Sequence, residues 1–241
     1  MDILHLLPFA STAVVAVFAV LVLRRYAQRG GPHLLLWGIG LIMYGLGTGA
    51  EALLAFTYSP FILHGWYLFG AILTPAWLGQ GTIYLLVRRP RVANILLSVL
   101  VVASIFTALH VYGLPTQDTL YDVTQPVSGQ YQQVMERTAL TRTLLAVFAA
   151  YGTLALVGGA LYSAYIFLRK RVMPQRVLGN VLIAAGALSP ALGGVLVARG
   201  LGDYLFVSEL LGAILMFIGF RLATTQQPVA VPAPASSAAG S

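Results

Sequence analysis

Apolar residues run along this chain in seven long stretches that short polar segments separate. Each stretch has about the 20 residues that a helix needs to cross a hydrocarbon core about 30 Å thick. Strands of a membrane barrel would instead alternate apolar and polar positions over about ten residues. The pattern therefore predicts an all-α, polytopic membrane protein with seven transmembrane helices. The predicted helices cover residues 3–23, 33–56, 61–87, 93–112, 139–168, 177–198 and 204–222.

The predicted helices form one transmembrane domain, residues 1–222, with a single long connection at residues 113–138. That connection is long enough to fold over the mouth of the bundle as a lid or to dock a partner; a plain solvated loop is the alternative. Residues 223–241 are rich in Pro, Ala and Ser, which predicts a disordered tail.

Composition agrees with this class of protein. The chain is 59% hydrophobic and 9% charged, whereas soluble domains are about a quarter charged. It has no cysteine, which excludes disulfides, iron–sulfur clusters and thiol chemistry. No kinase, cyclase or peptidase domain accompanies the helices, so we expect neither an enzymatic apparatus nor a cofactor.

The basic residues indicate an orientation, because most of them follow odd-numbered helices. The positive-inside rule then places the N-terminus and residues 113–138 outside and the C-terminus in the cytoplasm of a prokaryote-like inner membrane. The net charge of +7 is read as a signal of topology and of contact with anionic lipids, and nucleic acid is not expected as a partner. The residues on the predicted cytoplasmic side are Arg24, Arg25, Arg29, Arg88, Arg89, Arg91, Arg169, Lys170, Arg171, Arg176 and Arg221.

A weak internal repeat is the next feature. At an offset of 142 residues, Gly70–Leu73 aligns with Gly212–Leu215, both reading GAIL, and Arg29-x-x-Pro32 aligns with Arg171-x-x-Pro174. This favours a 3+1+3 arrangement, in which a linker helix joins two parallel sets of three. Coincidence in so apolar a chain is the alternative.

The dipeptide Pro174-Gln175, together with this arrangement, resembles the PQ-loop and SWEET-type sugar transporters in architecture. The corresponding dipeptide in the first half is Pro32-His33, which departs from that motif. A rhodopsin-like function is excluded, because the only lysine, Lys170, lies in a connection and no lysine of the seventh helix could bind retinal.

Two acids inside predicted spans carry the functional argument. Glu51, in the segment GLGTGAEALLAF, lies roughly 10 Å below the predicted outer surface, and Glu209 lies roughly 9 Å below it, at 1.5 Å per residue. A charge in a span costs at least about 2.5–3.5 kcal/mol, so such residues pair or mark a site. We expect Arg142, near the same depth, to pair with one or both acids. Mutual repulsion should then make one of the two acids protonatable.

The residues near these acids extend the candidate site. His64, Trp66 and Tyr67 begin the third helix, and His110 ends the fourth. The acids and histidines could bind zinc in principle, but their spacing matches no metal motif, so no metal is predicted.

Pro75 and Pro190 lie in mid-span, where proline kinks a helix, and are candidate hinges. The run Gly45, Gly47 and Gly49 indicates either close helix packing or room for a ligand beside Glu51.

Three function classes remain open. The first is a small proton-coupled transporter or ligand-binding membrane protein that uses Glu51 or Glu209 for a small molecule or a proton. The second is a sensor or accessory subunit with a membrane-protein partner, in which a buried Arg–Glu pair serves only to fix helix register. The third is a membrane-embedded hydrolase, although no nucleophile and base show a recognisable spacing.

Overall fold

The computed structural model describes residues 6–171, 173–197, 199–200 and 204–224. It is 86% helical, and its described part has no strand. Seven helices are long and apolar enough to cross a membrane, as the sequence predicts. They are α1 (Leu7–Arg29), α2 (Pro32–Leu54), α3 (Pro60–Leu86), α4 (Pro90–Tyr112), α5 (Ala139–Arg169), α6 (Pro174–Val197) and α7 (Tyr204–Thr224).

Proline and glycine set several helix ends. The helices α2, α3, α4 and α6 all begin with proline, whose fixed φ suits the first helical position and whose missing N–H needs no partner there. The first helix continues to Arg29, six residues beyond the predicted end, and stops at Gly30 and Gly31, which have φ values of +65° and +100°. The helix therefore continues through Arg24 and Arg25, because no helix-breaking residue lies between them and Gly30.

Helices α6 and α7 form the most extensive helix pair of the bundle. Glycines bring their backbones together: a Cβ added at Gly186 would lie 2.7 Å from the Gly212 carbonyl oxygen, and one at Gly179 would lie 2.7 Å from that of Gly219. The helix α1 packs along α2, while α3 lies between α2 and α5. The glycine run in α2 is explained by packing at one position, because a Cβ at Gly47 would lie 2.6 Å from the Cα of Gly70 in α3.

The third helix changes character in its middle. Residues Trp66–Leu73 form a π-helical segment between α-helical Pro60–Gly65 and Thr74–Leu86. Pro75 favours this wider turn, because its ring has no N–H to donate and would clash with the carbonyl four residues earlier. The Phe69 carbonyl accepts from both the backbone N–H and the hydroxyl of Thr74, the latter at 2.6 Å. Long π-helical segments are rare and are frequently found at functional sites.

The two GAIL segments of the proposed repeat differ in conformation. Gly70–Leu73 belongs to the π-helical segment, whereas Gly212–Leu215 lies in a regular α-helix. They share a packing role, since Gly70 contacts Gly47 of α2 and Gly212 contacts Gly186 of α6. The 3+1+3 arrangement stays a prediction.

Residues 113–138, here called the cap segment, are folded onto the bundle. They contain a 3-10 turn at Asp118–Leu120 and a short helix at Val127–Val134, and a bridge joins Thr116 to Met135. Val127, Val134 and Met135 are almost fully buried. This burial does not fit a plain solvated loop, and the roles of lid and of docking site for a partner both stay predictions. The end of the bundle that carries this segment is called the cap end.

Two predicted features lie at or beyond the limits of the described residues. The seventh helix ends at Thr224, two residues later than predicted, so the first two residues of the proposed tail, 223–241, are helical; residues 225–241 lie outside the described part. The sidedness of the bundle stays a prediction from its charges. The seven apolar helices are those of a multi-pass integral membrane protein.

Candidate functional site

Buried polar atoms without a hydrogen-bond partner concentrate at the cap end. Among the described residues these atoms are Ser11 Oγ, both carboxyl oxygens of Glu51, the Tyr67 hydroxyl and Glu209 Oε2. They come from α1, α2, α3 and α7, each within the half of the helix nearest the cap segment. Buried polar groups are nearly always paired in folded proteins, so a group of unpaired ones indicates a site for a ligand, an ion or water.

Glu51 and Glu209 form the centre of this group and are called the acid pair. The carboxyl group of Glu51 faces that of Glu209 and the indole of Trp66. The side chain of Glu51 is 2% exposed, although α2 ends only three residues later, at Leu54 rather than near residue 56. The cap segment accounts for this burial, because the Tyr121 hydroxyl donates to the Leu54 carbonyl at 2.8 Å.

Two side-chain hydrogen bonds hold the backbone around Glu209. The Tyr44 hydroxyl donates to the Glu209 carbonyl at 2.8 Å, and the Ser189 hydroxyl donates to the Ser208 carbonyl at 2.7 Å. These bonds come from α2 and α6 respectively. The position of Glu209 is therefore fixed from both sides while its own carboxyl oxygen Oε2 remains without a partner.

The predicted pairing of Arg142 with the acids is wrong. Arg142 is exposed, and within the described ranges both oxygens of Glu51 lack any partner. The neighbouring Thr141 explains the orientation: it is fully buried and bonds His110 and Thr138. Because successive residues of a helix are about 100° apart, burying Thr141 turns Arg142 away from the bundle interior.

The two histidines are also separate from the acid pair. His64 is buried with Nε2 3.1 Å from the Leu114 carbonyl oxygen. The Nε2 atom of His110 lies 3.0 Å from the Thr141 hydroxyl. Both residues therefore connect the cap segment or its flanks to the bundle, and among the described residues no group of three metal-binding side chains forms.

A cavity of about 520 Å³ lies beneath the cap segment, with Glu209 in its wall. Glu209 is the one acidic or basic residue among the described side chains that line it. The other polar atoms come from hydroxyl groups, and the rest of the wall is apolar or aromatic. The residues that matter for its chemistry are Tyr44, Trp66, Tyr67, Thr74, Ser128, Tyr131, Thr153 and Glu209.

Three aromatic side chains of this wall, Trp66, Tyr67 and Tyr131, lie together and are called the ring cluster. Their ring centroids are 5.2 to 6.3 Å apart. Arg137 of the cap segment lies over the Tyr131 ring, with its guanidinium carbon 5.2 Å from the centroid, and Nη1 donates to the Tyr131 hydroxyl at 3.1 Å. Tyr131 thus connects the cap segment to the cavity.

Both predicted hinge residues, Pro75 and Pro190, line the same cavity. Pro75 packs against α5 at Gly152, where an added Cβ would clash with the proline backbone. Pro190 lies within α6, with its ring 3.0 Å from the place of a Cβ at Gly212. Whether either proline acts as a hinge stays a prediction.

A second, smaller cavity of about 60 Å³ lies in the opposite half of the bundle. Leu78, Leu156 and Met216 line both cavities and are called the septum. These three side chains are at most 7% exposed. The two cavities are therefore in line, separated by an apolar partition contributed by α3, α5 and α7.

Polar groups of the cap segment have shifted pKa values. Hydrogen bonds from the hydroxyls of Tyr58 and Thr116, each 2.7 Å long, lower the pKa of Asp118. Burial raises the pKa of Tyr58 to about 12, with the bond to Asp118 adding to the shift. Burial also raises the pKa of Tyr121 to about 12, with a further contribution from the nearby carboxyl of Glu51. Tyr121 therefore links the cap segment to the acid pair, and its ring stacks on Tyr58 at 4.5 Å.

Sequence reasoning missed three tyrosines of the site. Tyr44 lies seven residues, or about two helical turns, before Glu51 on α2. Residues at this spacing lie on the same face of a helix, so the position of Tyr44 could have been predicted. Tyr121 and Tyr131 lie in the cap segment, and no periodic pattern in that segment indicates which of its aromatic residues turn toward the bundle.

Comparisons of the chain with protein-family models, with curated proteins and with solved structures found no match. The function is therefore argued from the chemistry of the site alone.

Proposed function

We propose that this protein is a small proton-coupled transporter or ligand-binding membrane protein, and that the acid pair is the site where ligand and proton are exchanged. One observation carries the proposal. The buried carboxyl group of Glu51 faces that of half-buried Glu209 without a basic partner among the described residues, and Glu209 lines the large cavity.

The acid pair is poorly suited to a structural role. A buried charged residue that only fixes the register of two helices needs a partner of opposite charge or a complete set of hydrogen bonds. Glu51 has neither. Two carboxylates in contact repel each other, and no basic group among the described residues pairs with Glu51, so a shared proton is the simplest stable arrangement. A ligand that displaced this proton would couple its own binding to proton movement.

The cavities support movement of the ligand as well as binding. The ligand would enter the large cavity from the cap end, which the arrangement of basic residues assigns to the outside. Passage further would require opening of the septum formed by Leu78, Leu156 and Met216. Bending at Pro75 and Pro190, which line the cavity on opposite helices, would change the width of this partition.

The experiment uses purified full-length protein in liposomes that contain the pH-sensitive dye pyranine. Benzyltrimethylammonium, phenylmethanesulfonate, leucine and glucose are added separately outside, and the internal pH is followed. We expect at least one solute to change the internal pH with the wild type and not with Glu209→Gln. The matched control is Glu136→Gln, which makes the same chemical change at an exposed position of the cap segment.

The outcomes separate the function classes. A solute-dependent signal that Glu209→Gln removes supports proton-coupled transport. No signal from any solute, combined with stable co-purification of a second membrane protein, would replace the proposal with a sensor or accessory subunit.

A further inference from the structure

We infer that the large cavity binds an organic cation with an apolar body, and that the cation takes the place of the proton held by the acid pair. This inference names the ligand class for the proposed function and rests on it. It follows from three properties of the cavity: the sign of its charge, the arrangement of its aromatic rings and the apolar character of the remaining wall.

The charge of the cavity differs in sign from that of the whole chain. The protein carries a net charge of +7, yet the one ionisable acid or base among the described lining residues is Glu209, with Glu51 directly behind it. A cation in the cavity would therefore give the acid pair the partner of opposite charge that the described part of the protein does not supply. An anion would bring a second negative charge to a pair that already carries one beside its shared proton, which the low polarity of the surroundings disfavours strongly.

The ring cluster provides a second attraction for a cation. A positively charged group held among aromatic rings interacts with their electron-rich faces, and clusters of such rings recognise quaternary ammonium groups. Trp66 belongs to the ring cluster and also faces the carboxyl group of Glu51. One group of a ligand could thus contact rings and carboxylate together.

Arg137 shows that this cluster already attracts a cation from the side of the cap segment. Its guanidinium lies over Tyr131 and interacts with Tyr67, but Arg137 is not among the residues that line the cavity. The groups that face the acid pair are therefore Tyr44 from α2, Trp66 from α3 and Tyr121 from the cap segment, none of which is cationic.

The rest of the cavity wall indicates that the uncharged part of the ligand is apolar. Apolar side chains that line the rest of the cavity include Pro75, Leu145, Leu156, Leu205 and Met216. A strongly hydrated ion such as sodium would gain little from this surface, whereas a hydrocarbon body would gain by leaving water. The exchange is balanced: one cation enters, the carboxylic acid of the pair releases one proton to water, and the charge of the site is unchanged.

The test is isothermal titration calorimetry of the full-length protein in lipid nanodiscs with benzyltrimethylammonium. Repeating the titration in buffers of different ionisation enthalpy gives the number of protons released. Phenylmethanesulfonate, of similar size and opposite charge, is the matched ligand. We expect the cation to bind with release of about one proton and the sulfonate not to bind.

Variants locate the binding. Glu209→Gln should weaken binding of benzyltrimethylammonium by about ten-fold or more, and Glu51→Gln should abolish proton release. Trp66→Leu should weaken binding about three-fold, whereas Glu136→Gln should change nothing. Thermal unfolding of each variant identifies any loss that is due to misfolding.

The inference is overturned if the cation does not bind, if the sulfonate binds equally well, or if both acid variants bind the cation as the wild type does. Its failure is distinguishable from failure of the proposed function. If leucine, glucose or the sulfonate moves protons in the liposome experiment while the cation does not, only the ligand class is wrong; if no solute does, the proposed function falls as well.

Discussion

The polar groups around Gln80 and the acid pair are built in opposite ways. Gln80 of α3 is fully buried, and both ends of its amide are used: Nε2 donates to the Ala93 carbonyl at 2.9 Å, and the Tyr151 hydroxyl donates to Oε1. Glu51 of the acid pair is only 2% exposed, yet its carboxyl group has no hydrogen-bond partner.

The comparison separates a cluster that joins helices from the pair on which the proposed function depends. The bonds of Gln80 join α3 to α4 and α5, so they stabilise the arrangement of these helices. An unpaired buried acid instead costs stability, and such groups persist in membrane proteins where function requires them. The two clusters should therefore respond in opposite ways to neutral substitution.

The largest effect is expected for Glu209→Gln. Solute-driven proton movement should fall by at least about ten-fold, because an amide side chain cannot bind and release a proton as a carboxyl group does. The unfolding temperature should stay the same or rise, since the variant removes a buried group that can carry an unpaired charge. A variant that loses stability but keeps proton movement per folded molecule would make the acid pair resemble Gln80.

The next effect concerns Gln80→Leu, which keeps the size of the side chain and removes both hydrogen bonds. We expect the free energy of unfolding to fall by about 1–3 kcal/mol, because partners in α4 and α5 are left unsatisfied. Proton movement per folded molecule should be retained. Denaturant unfolding in detergent, with the liposome experiment in parallel, measures both quantities.

A smaller effect is expected for access to the site. The chain has no cysteine, so single cysteines can be labelled without background. Gly129→Cys replaces an exposed residue with open space around it, whereas Ser128→Cys lies in the buried wall of the large cavity. An impermeant maleimide added outside cells should label position 129 several-fold faster. Equal rates would show that the cap segment does not cover the cavity, and labelling only from the cytoplasm would reverse the predicted orientation.

The smallest effect concerns pH. The pKa of Asp118 is lowered by its hydrogen bonds from Tyr58 and Thr116, so its contribution to the folded cap segment is present above the unfolded pKa of about 3.9 and is lost as pH falls through the folded value. Tyr58→Phe should move this loss to higher pH by less than about one pH unit. Fluorescence of Trp66, whose ring lies 5.2 Å from that of Tyr131, reports the change. An unchanged midpoint would contradict the role of Tyr58.

Much of the fold could be predicted from the sequence, because apolar length and charged connections determine helix number. The end of α4 at Tyr112 and the starts of α5 and α7 at Ala139 and Tyr204 match the predictions. The rotation of each helix could not be predicted. The fifth helix is apolar around most of its circumference, so nothing in its sequence indicates that Arg142 turns outward.

The candidate site was also predictable only in part: the sequence identifies its two acids but not the shape of its wall. The cost of a charge in a membrane span was enough to identify Glu51 and Glu209, and the structure brings them together. The π-helical segment that places Trp66 and Tyr67 in the wall of the cavity depends on how α3 packs around Pro75, and local sequence does not encode that packing.

The most direct test of the central claim is infrared spectroscopy of the carboxyl groups during a pH titration of the purified protein in nanodiscs. The account predicts a protonated-carboxyl band that changes with pH while the protein stays folded, and that is lost in both Glu51→Gln and Glu209→Gln but kept in Glu136→Gln. A band that survives in both acid variants, or that changes only when the protein unfolds, would contradict the claim that the acid pair exchanges a proton.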